Sequence, residues 1–491
     1  MIPSGDGAAE VENAKLTEDT TRRVVKGAFA LGARQVVVHG TNVLGNIILA
    51  RLLSPADYGI YAIINFFILF LGAFGGTGLA ANLIREHPEP SPDVYRSVYT
   101  VQQLFVVAVC VALWGSAPHI AQLYHLNPQL AWIFRLTALS LVATVWMVPS
   151  QIEMERHLSF QKLAVVETAQ AVCFNVIAVG LAWRGYGAMS FGIALFVRSL
   201  AGAILANLME PASHRWLLDW KLARPHLQFG LYYQSSQIIS LVKDSITPML
   251  IGFLVGTAGV GYISWAAMLA AYPVLALMIL QRLYLPSFAK FQHDKAHLGA
   301  FVQQVIWATN AIGAPLAIAM LVLIHPVTRI VFGEKWEAAV PLFYFFWLAN
   351  VFVPTATPLQ SLLNSIGRAD LATVFAVMWT VLTWGFGWPL AIHKGILGIA
   401  IATAIVQLSN LVLYRTAQRL IPFHIVRSIY KPWLLACGMG LLLYAFNRYE
   451  PPRNLFTLIT TGVTALLMYA AAFYSLYSQR LIRLYRYSVH P

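Results

Sequence analysis

Four cationic side chains, Arg34, Arg135, Arg198 and Lys243, lie inside stretches that are otherwise apolar over membrane length, and only two acids, Glu167 and Asp244, lie there with them. Each cation would cost about 2.5–3.5 kcal/mol at a bilayer centre, and less near a helix end where its stem can snorkel. A surplus of positive charge in such a place fits an anionic cargo. Arginine's planar fork grips oxyanions such as phosphate in pairs, whereas lysine acts as a compact point charge. Snorkelling is the competing reading for Arg34 and Arg135, which sit near the ends of their stretches, but Arg198 is mid-stretch. Lys243 and Asp244 are neighbours, so on a helix they leave about 100° apart and are not expected to face each other as a pair. Glu167, followed one turn on by Gln170, is equally a boundary residue or a proton carrier.

Uncharged polar residues add to this set. Gln35, His39, Asn42 and Asn46 recur every three or four positions and therefore share one helix face. About 200 residues later Tyr233, Gln237, Ser240, Asp244 and Thr247 repeat the pattern. Polar groups facing lipid lack partners, so two matching stripes point to a water-accessible cavity, with interhelical hydrogen bonding as the alternative use of Asn42, Asn46 and Gln237. The candidate binding residues are thus Arg34, Gln35, His39, Asn42, Asn46, Arg135, Arg198, Gln237 and Lys243, with Asp244 and Glu167 as candidates for ion coupling.

The elements that must position these residues are membrane-spanning helices. Hydrophobic residues make up 58% of the 491 positions and charged residues 11%, too apolar for a soluble chain of this size. Fourteen apolar runs can be drawn, mostly about 18–25 residues long, which is helix length for a bilayer and not the short alternating pattern of a β-barrel. The least regular are the seventh, with Lys243, Asp244 and Pro248, and the tenth, with Pro354 and Pro358. The expected fold class is an all-α polytopic membrane protein with two pseudo-symmetric six-helix lobes and an extra C-terminal helix pair.

Lysine and arginine fall about threefold in favour of the side that holds both termini, which places both ends in the cytoplasm. The net charge of +13 is then a topology signal. It is scattered over separated segments, so no nucleic-acid partner is expected. The expected division is a cytoplasmic tail over 1–28, an N-lobe over 29–210, a linker over 211–228, a C-lobe over 229–417, a helix pair over 418–478 and a basic tail over 479–491. An offset of 202 aligns Gly59 with Gly261, Gln35 with Gln237 and Asn42 with Asp244 across the two lobes. Two repeats of six runs enter the membrane in the same sense, giving a symmetry axis along its normal.

Other motifs carry little. Cys110, Cys173 and Cys437 read as small apolar core residues. His293 and His297 have metal-ligand spacing but lie in a solvated connector without the glutamate of an HExxH helix. No phosphate-binding GxxxxGK[ST] loop is present, so transport energy would come from an ion gradient or from mass action. Asp57 reads as a turn cap. No catalytic residue, metal or cofactor is expected.

The stretch from Ile48 through Leu52, Pro55, Asp57 and Tyr58 to Gly59 resembles the first loop of bacterial polysaccharide transporters, the Wzx-type flippases. Ile251-Gly252-Phe253-Leu254-Val255-Gly256 through Gly261-Tyr262 is similar to their I-G-x-x-L-G element, and Asn364 to Leu371 to a later loop. The resemblance covers about residues 30 to 480, and it places the chain beside multidrug/toxin extruders and the lipid II flippase. Where such proteins often carry an aspartate five residues before the glycine of the I-G element, this chain has Thr247, with Asp244 one turn earlier.

What the resemblance implies is a multi-pass protein of the bacterial cytoplasmic (inner) membrane that acts as a monomer. It would carry polyprenyl-diphosphate-linked oligosaccharide from the cytoplasmic to the periplasmic leaflet by alternating access, for exopolysaccharide or lipopolysaccharide synthesis. Membrane lipids and the polysaccharide polymerase and export machinery are the further partners implied. Two other readings are a membrane glycan polymerase or glycosyltransferase, and a multidrug exporter of the same fold. The first needs a long external loop that the short connectors do not supply. The second wants an acidic cavity.

Overall fold

The computed structural model describes residues 35, 37–74, 91–211, 216–225 and 241–489, and among them there is helix, turn and coil but no strand. Hydrocarbon offers no partner to an open N–H or C=O, so a chain of long apolar runs closes its hydrogen bonds within each helix. Eleven helices among the described residues are long and apolar enough to cross a membrane. The chain is an all-α polytopic membrane protein.

Helix ends use local chemistry. Ser54 and Asp57 cap the helix Pro55–Phe74 reciprocally: the Ser54 amide and hydroxyl donate to Asp57 Oδ2 at 2.9 and 2.6 Å, and the Asp57 amide donates to Ser54 Oγ at 3.2 Å. Asp294 caps Lys295–Val327 by accepting from the amides of Ala296 and His297, both at 3.0 Å. His297, one of the two spaced histidines, is held by the same carboxylate at 2.7 Å.

The irregular runs resolve physically. In the seventh, Pro248 falls in a π-helical turn, Thr247–Ile251. The tenth is two helices, Val340–Asn350 and Val353–Ser365, divided just before Pro354. The eleventh and twelfth runs form one 40-residue helical stretch, Ala369–Leu408, about 60 Å long and too long for a single crossing. Gly395 breaks it with φ 57°, a conformation open to glycine.

The described residues fall into two compact units that divide after Ile238, except that Ser54–Ala62 belongs with the second. In the first unit, Ala131–Arg156 and Phe160–Trp183 both pack on Met189–Met209. Gly192 brings that last helix close to Ile133, and Ser150 donates to Asn207 Oδ1 at 3.0 Å. At one end, Lys162 donates to Glu210 at 2.7 Å and to the Met209 carbonyl at 3.0 Å, tying the start of one helix to the end of another. The hydrogen bond and charge of Lys162, with His157 adding to them, hold the Glu210 carboxyl below its usual range.

The second unit centres on Asn310, which is buried in Lys295–Val327. Its Nδ2 donates to Thr355 Oγ1 at 3.1 Å, and its Oδ1 accepts from Trp433 Nε1 at 2.9 Å. One amide therefore links three helices. Ser54–Ala62 is seated on this unit by Tyr58, whose ring meets Trp336 edge-on at 5.2 Å, with Trp336 stacked on Trp265 at 5.2 Å. Beside them Gly59 and Gly261, the pair aligned by the internal repeat, touch. A Cβ on Gly59 would lie 1.7 Å from the Thr257 carbonyl oxygen, and one on Gly261 would lie 1.8 Å from that of Pro55.

Gly59→Leu and Gly261→Leu should each force these backbones apart and destabilise the protein by at least about 1–3 kcal/mol, seen as a lowered melting temperature in detergent; an unchanged melt would refute the close packing. Glu210→Gln should lower the melting temperature by up to about 3 °C at neutral pH. A carboxyl with a depressed folded-state pKa stabilises above its unfolded value and loses that contribution as pH falls through the folded value. The gap between native and Glu210→Gln melts should therefore close as pH drops below the ordinary carboxylate value of 4.5.

Candidate functional site

Each unit holds a polar cavity of its own. In the first, a space of about 240 Å³ is lined by Asn42, Gln151, Glu167, Gln170 and Arg198, set among Val38, Met147 and Met154. The polar groups come from four helices: residues 37–52, Ala131–Arg156, Phe160–Trp183 and Met189–Met209. Small residues make the room. A side chain at Gly202 would strike Gln170 Nε2 at 1.9 Å, and one at Gly45 would strike Asn175 Oδ1 at 1.6 Å. Asn175 Nδ2 donates to Asn42 Oδ1 at 3.0 Å and to the Ala171 carbonyl at 2.8 Å, so Asn42 both borders the cavity and bonds a neighbouring helix. The Arg198 guanidinium lies 5.9 Å from the Phe174 ring.

The second unit's cavity is larger, about 520 Å³, and includes Lys243, Asp244, Thr247, Gln360, Thr383 and Gln407 in its lining. Contrary to the expectation from their sequence spacing, Lys243 Nζ and Asp244 Oδ1 form an ion pair at 3.0 Å. The four-carbon lysine stem reaches across the angle that separates adjacent residues on a helix. Thr380 and Thr403, also in the wall, each donate to the carbonyl four residues earlier at 2.9 Å. Their oxygens keep acceptor capacity for a ligand.

Several expected residues lie elsewhere. Arg34, Gln237, Tyr233 and Ser240 fall outside the described residues. Gln35 and His39 bond each other at 2.6 Å and, like Asn46, are not in the lining of either cavity. Arg135 lines neither cavity; its guanidinium sits by Trp114 and Trp132. Among the described residues each cavity thus presents one cation and one acid, so the expected cationic surplus is not found there in either.

Sequence reasoning missed Gln151, Asn175, Gln360, Thr380, Thr383, Thr403 and Gln407. The signal was available for the later helices, because Thr380 and Thr383, and Thr403 and Gln407, recur at helical spacing inside apolar runs.

A third space, about 630 Å³, lies along Ile425–Tyr449 and Leu455–Val489. Leu435, Leu442, Phe446 and Met468 make it apolar, with Thr460, Thr461, Thr464 and Tyr469 as its polar points. Its apolar lining suits hydrocarbon chains.

Comparison with known proteins agrees with this architecture. The chain is 23% identical over 397 residues to the lipopolysaccharide biosynthesis protein WzxC of Escherichia coli K12, covering 80% of each protein. It is 24% identical over 341 residues to the succinoglycan biosynthesis transport protein ExoT of Rhizobium meliloti, covering 69% of this chain and 68% of that protein. Its fold resembles that of the lipid II flippase MurJ in an inward closed conformation, with a TM-score of 0.75 at 14% identity over 92% of this chain and 99% of the other. Residues 48–341 match the model of the polysaccharide biosynthesis protein family. The chain belongs to that family.

Proposed function

We propose that the protein is a flippase for polyprenyl-diphosphate-linked oligosaccharide in the bacterial inner membrane, passing its cargo from the cytoplasmic to the periplasmic leaflet by alternating access between two lobes. Family membership across 48–341 carries the reading. Relatives named for lipopolysaccharide biosynthesis and succinoglycan transport support a glycan cargo. The hydroxyl and amide lining of the second cavity supports it too, since such groups replace water around a sugar.

In this reading Arg198 and Lys243 meet the diphosphate, and Glu167 and Asp244 are the acids through which ion coupling would run. Arg34, Gln35, His39, Asn42, Asn46 and Gln237 remain candidate contacts for the passing headgroup. The groove beside Ile425–Tyr449 shelters the polyprenyl tail. The protein works as a transporter, without a covalent step of its own.

In a strain lacking its own flippase, expression should restore glycan export. Arg198→Ala and Lys243→Ala should each lower export about tenfold or more at unchanged membrane levels, as expected for loss of a charge-assisted contact; normal export by the double variant would defeat the diphosphate assignment. Gly438→Phe with Thr464→Phe should fill the groove and slow a long-chain substrate about tenfold more than a short-prenyl analogue. Equal slowing of both in a vesicle assay would remove the tail from this groove.

A further inference from the structure

We infer that Arg135, Trp114 and Trp132 form a binding site for the phosphate of a membrane lipid, separate from both cavities and independent of the transport reading. The Arg135 guanidinium lies 4.8 Å from the Trp132 ring and 5.6 Å from the Trp114 ring. The two indoles meet edge to face at 6.0 Å. Trp114 stands on Pro92–Leu123 and the other two residues on Ala131–Arg156, so the site spans a helical hairpin. The turn of that hairpin is pinned by Asn127, whose Oδ1 accepts from the Gln129 amide at 3.0 Å.

The rings hold the cation but satisfy none of its N–H groups. Arg135 Nε is buried and has no hydrogen-bond partner. Among the described residues, no side-chain hydrogen bond or ion pair engages Arg135, Trp114 or Trp132. Nor can a nearby acid be supplied by these two helices, because the sequence has no carboxylate between Asp93 and Glu153. Unspent guanidinium and indole donors gathered without an acceptor describe a site for an anion.

The site also opens outward. Trp114 and Trp132 are 37% and 50% exposed, and next to Trp114 there is open space at Gly115. Each helix presents these residues near the hairpin end of its span, the level at which tryptophans gather at membrane interfaces. The oxyanion present at that level in every bilayer is the lipid phosphate. Arginine's fork takes two of its oxygens, while the indole faces lie against the glycerol and upper acyl chain.

The test is native mass spectrometry of the purified full chain titrated with phosphatidylglycerol, diacylglycerol, a polyprenyl diphosphate and inorganic phosphate. The native protein should retain one phosphatidylglycerol that Arg135→Gln loses, with affinity reduced at least about fivefold. Trp114→Leu with Trp132→Leu should weaken it similarly, and Arg427→Gln, a basic residue elsewhere, should not. Displacement of that lipid by polyprenyl diphosphate would assign the site to cargo phosphate, and resistance to it would assign it to bulk phospholipid; either result supports a lipid-phosphate site. Equal retention by native protein and Arg135→Gln would overturn the proposal. So would diacylglycerol binding as well as phosphatidylglycerol, a comparison on the unaltered protein that decides the matter even if the variant does not fold. Occupation by inorganic phosphate that blocks no lipid would overturn it as well.

Discussion

A polar group within a bilayer must find a partner in the protein or be reached by water, and hydrocarbon forgives neither failure. This constraint accounts for most of what the structure does with its polar residues. Asn310 spends its amide on two other helices, and Asn175 spends its own on Asn42 and its own helix. The threonines of the later helices return their hydroxyl protons to the backbone and face a cavity. Asn310 and Asn175 are knots between helices, the threonines are walls of a wet space, and Asn42 is both.

Much of the architecture was legible because helix length and hydrophobicity are properties of contiguous sequence. The apolar runs marked the helices, and Pro248 and Pro354 marked where they would be irregular. The Ser54–Asp57 cap followed from residue types three positions apart. Of the first polar stripe, Asn42 reached a cavity, whereas Gln35 and His39 satisfied each other. A stripe specifies a face but not what that face meets. The Lys243–Asp244 pair was misjudged because angular separation was weighed without the reach of the lysine stem. The Trp114–Arg135–Trp132 cluster joins residues across a hairpin, and no periodicity within one helix encodes that meeting.

The Gly59–Gly261 contact shows the opposite case. Two positions matched only by a weak internal repeat prove to be physical neighbours, each lacking a side chain because the backbone of the other's helix occupies the space. Helices in lipid gain little from hydrophobic burial against one another, so close backbone approach supplies the attraction instead. Small residues here do the work that large apolar ones perform in a soluble core.

The Lys243–Asp244 bridge carries a thermodynamic corollary. Two opposite charges paired together leave the described lining of the chamber electrically neutral, and any visiting oxyanion must compete with the aspartate for the ammonium. Success would release the aspartate carboxylate from its partner and leave it open to a small cation in the same event. Loading of the anion and uptake of the counter-charge would then be linked equilibria, each tightening the other, without any larger rearrangement to connect them.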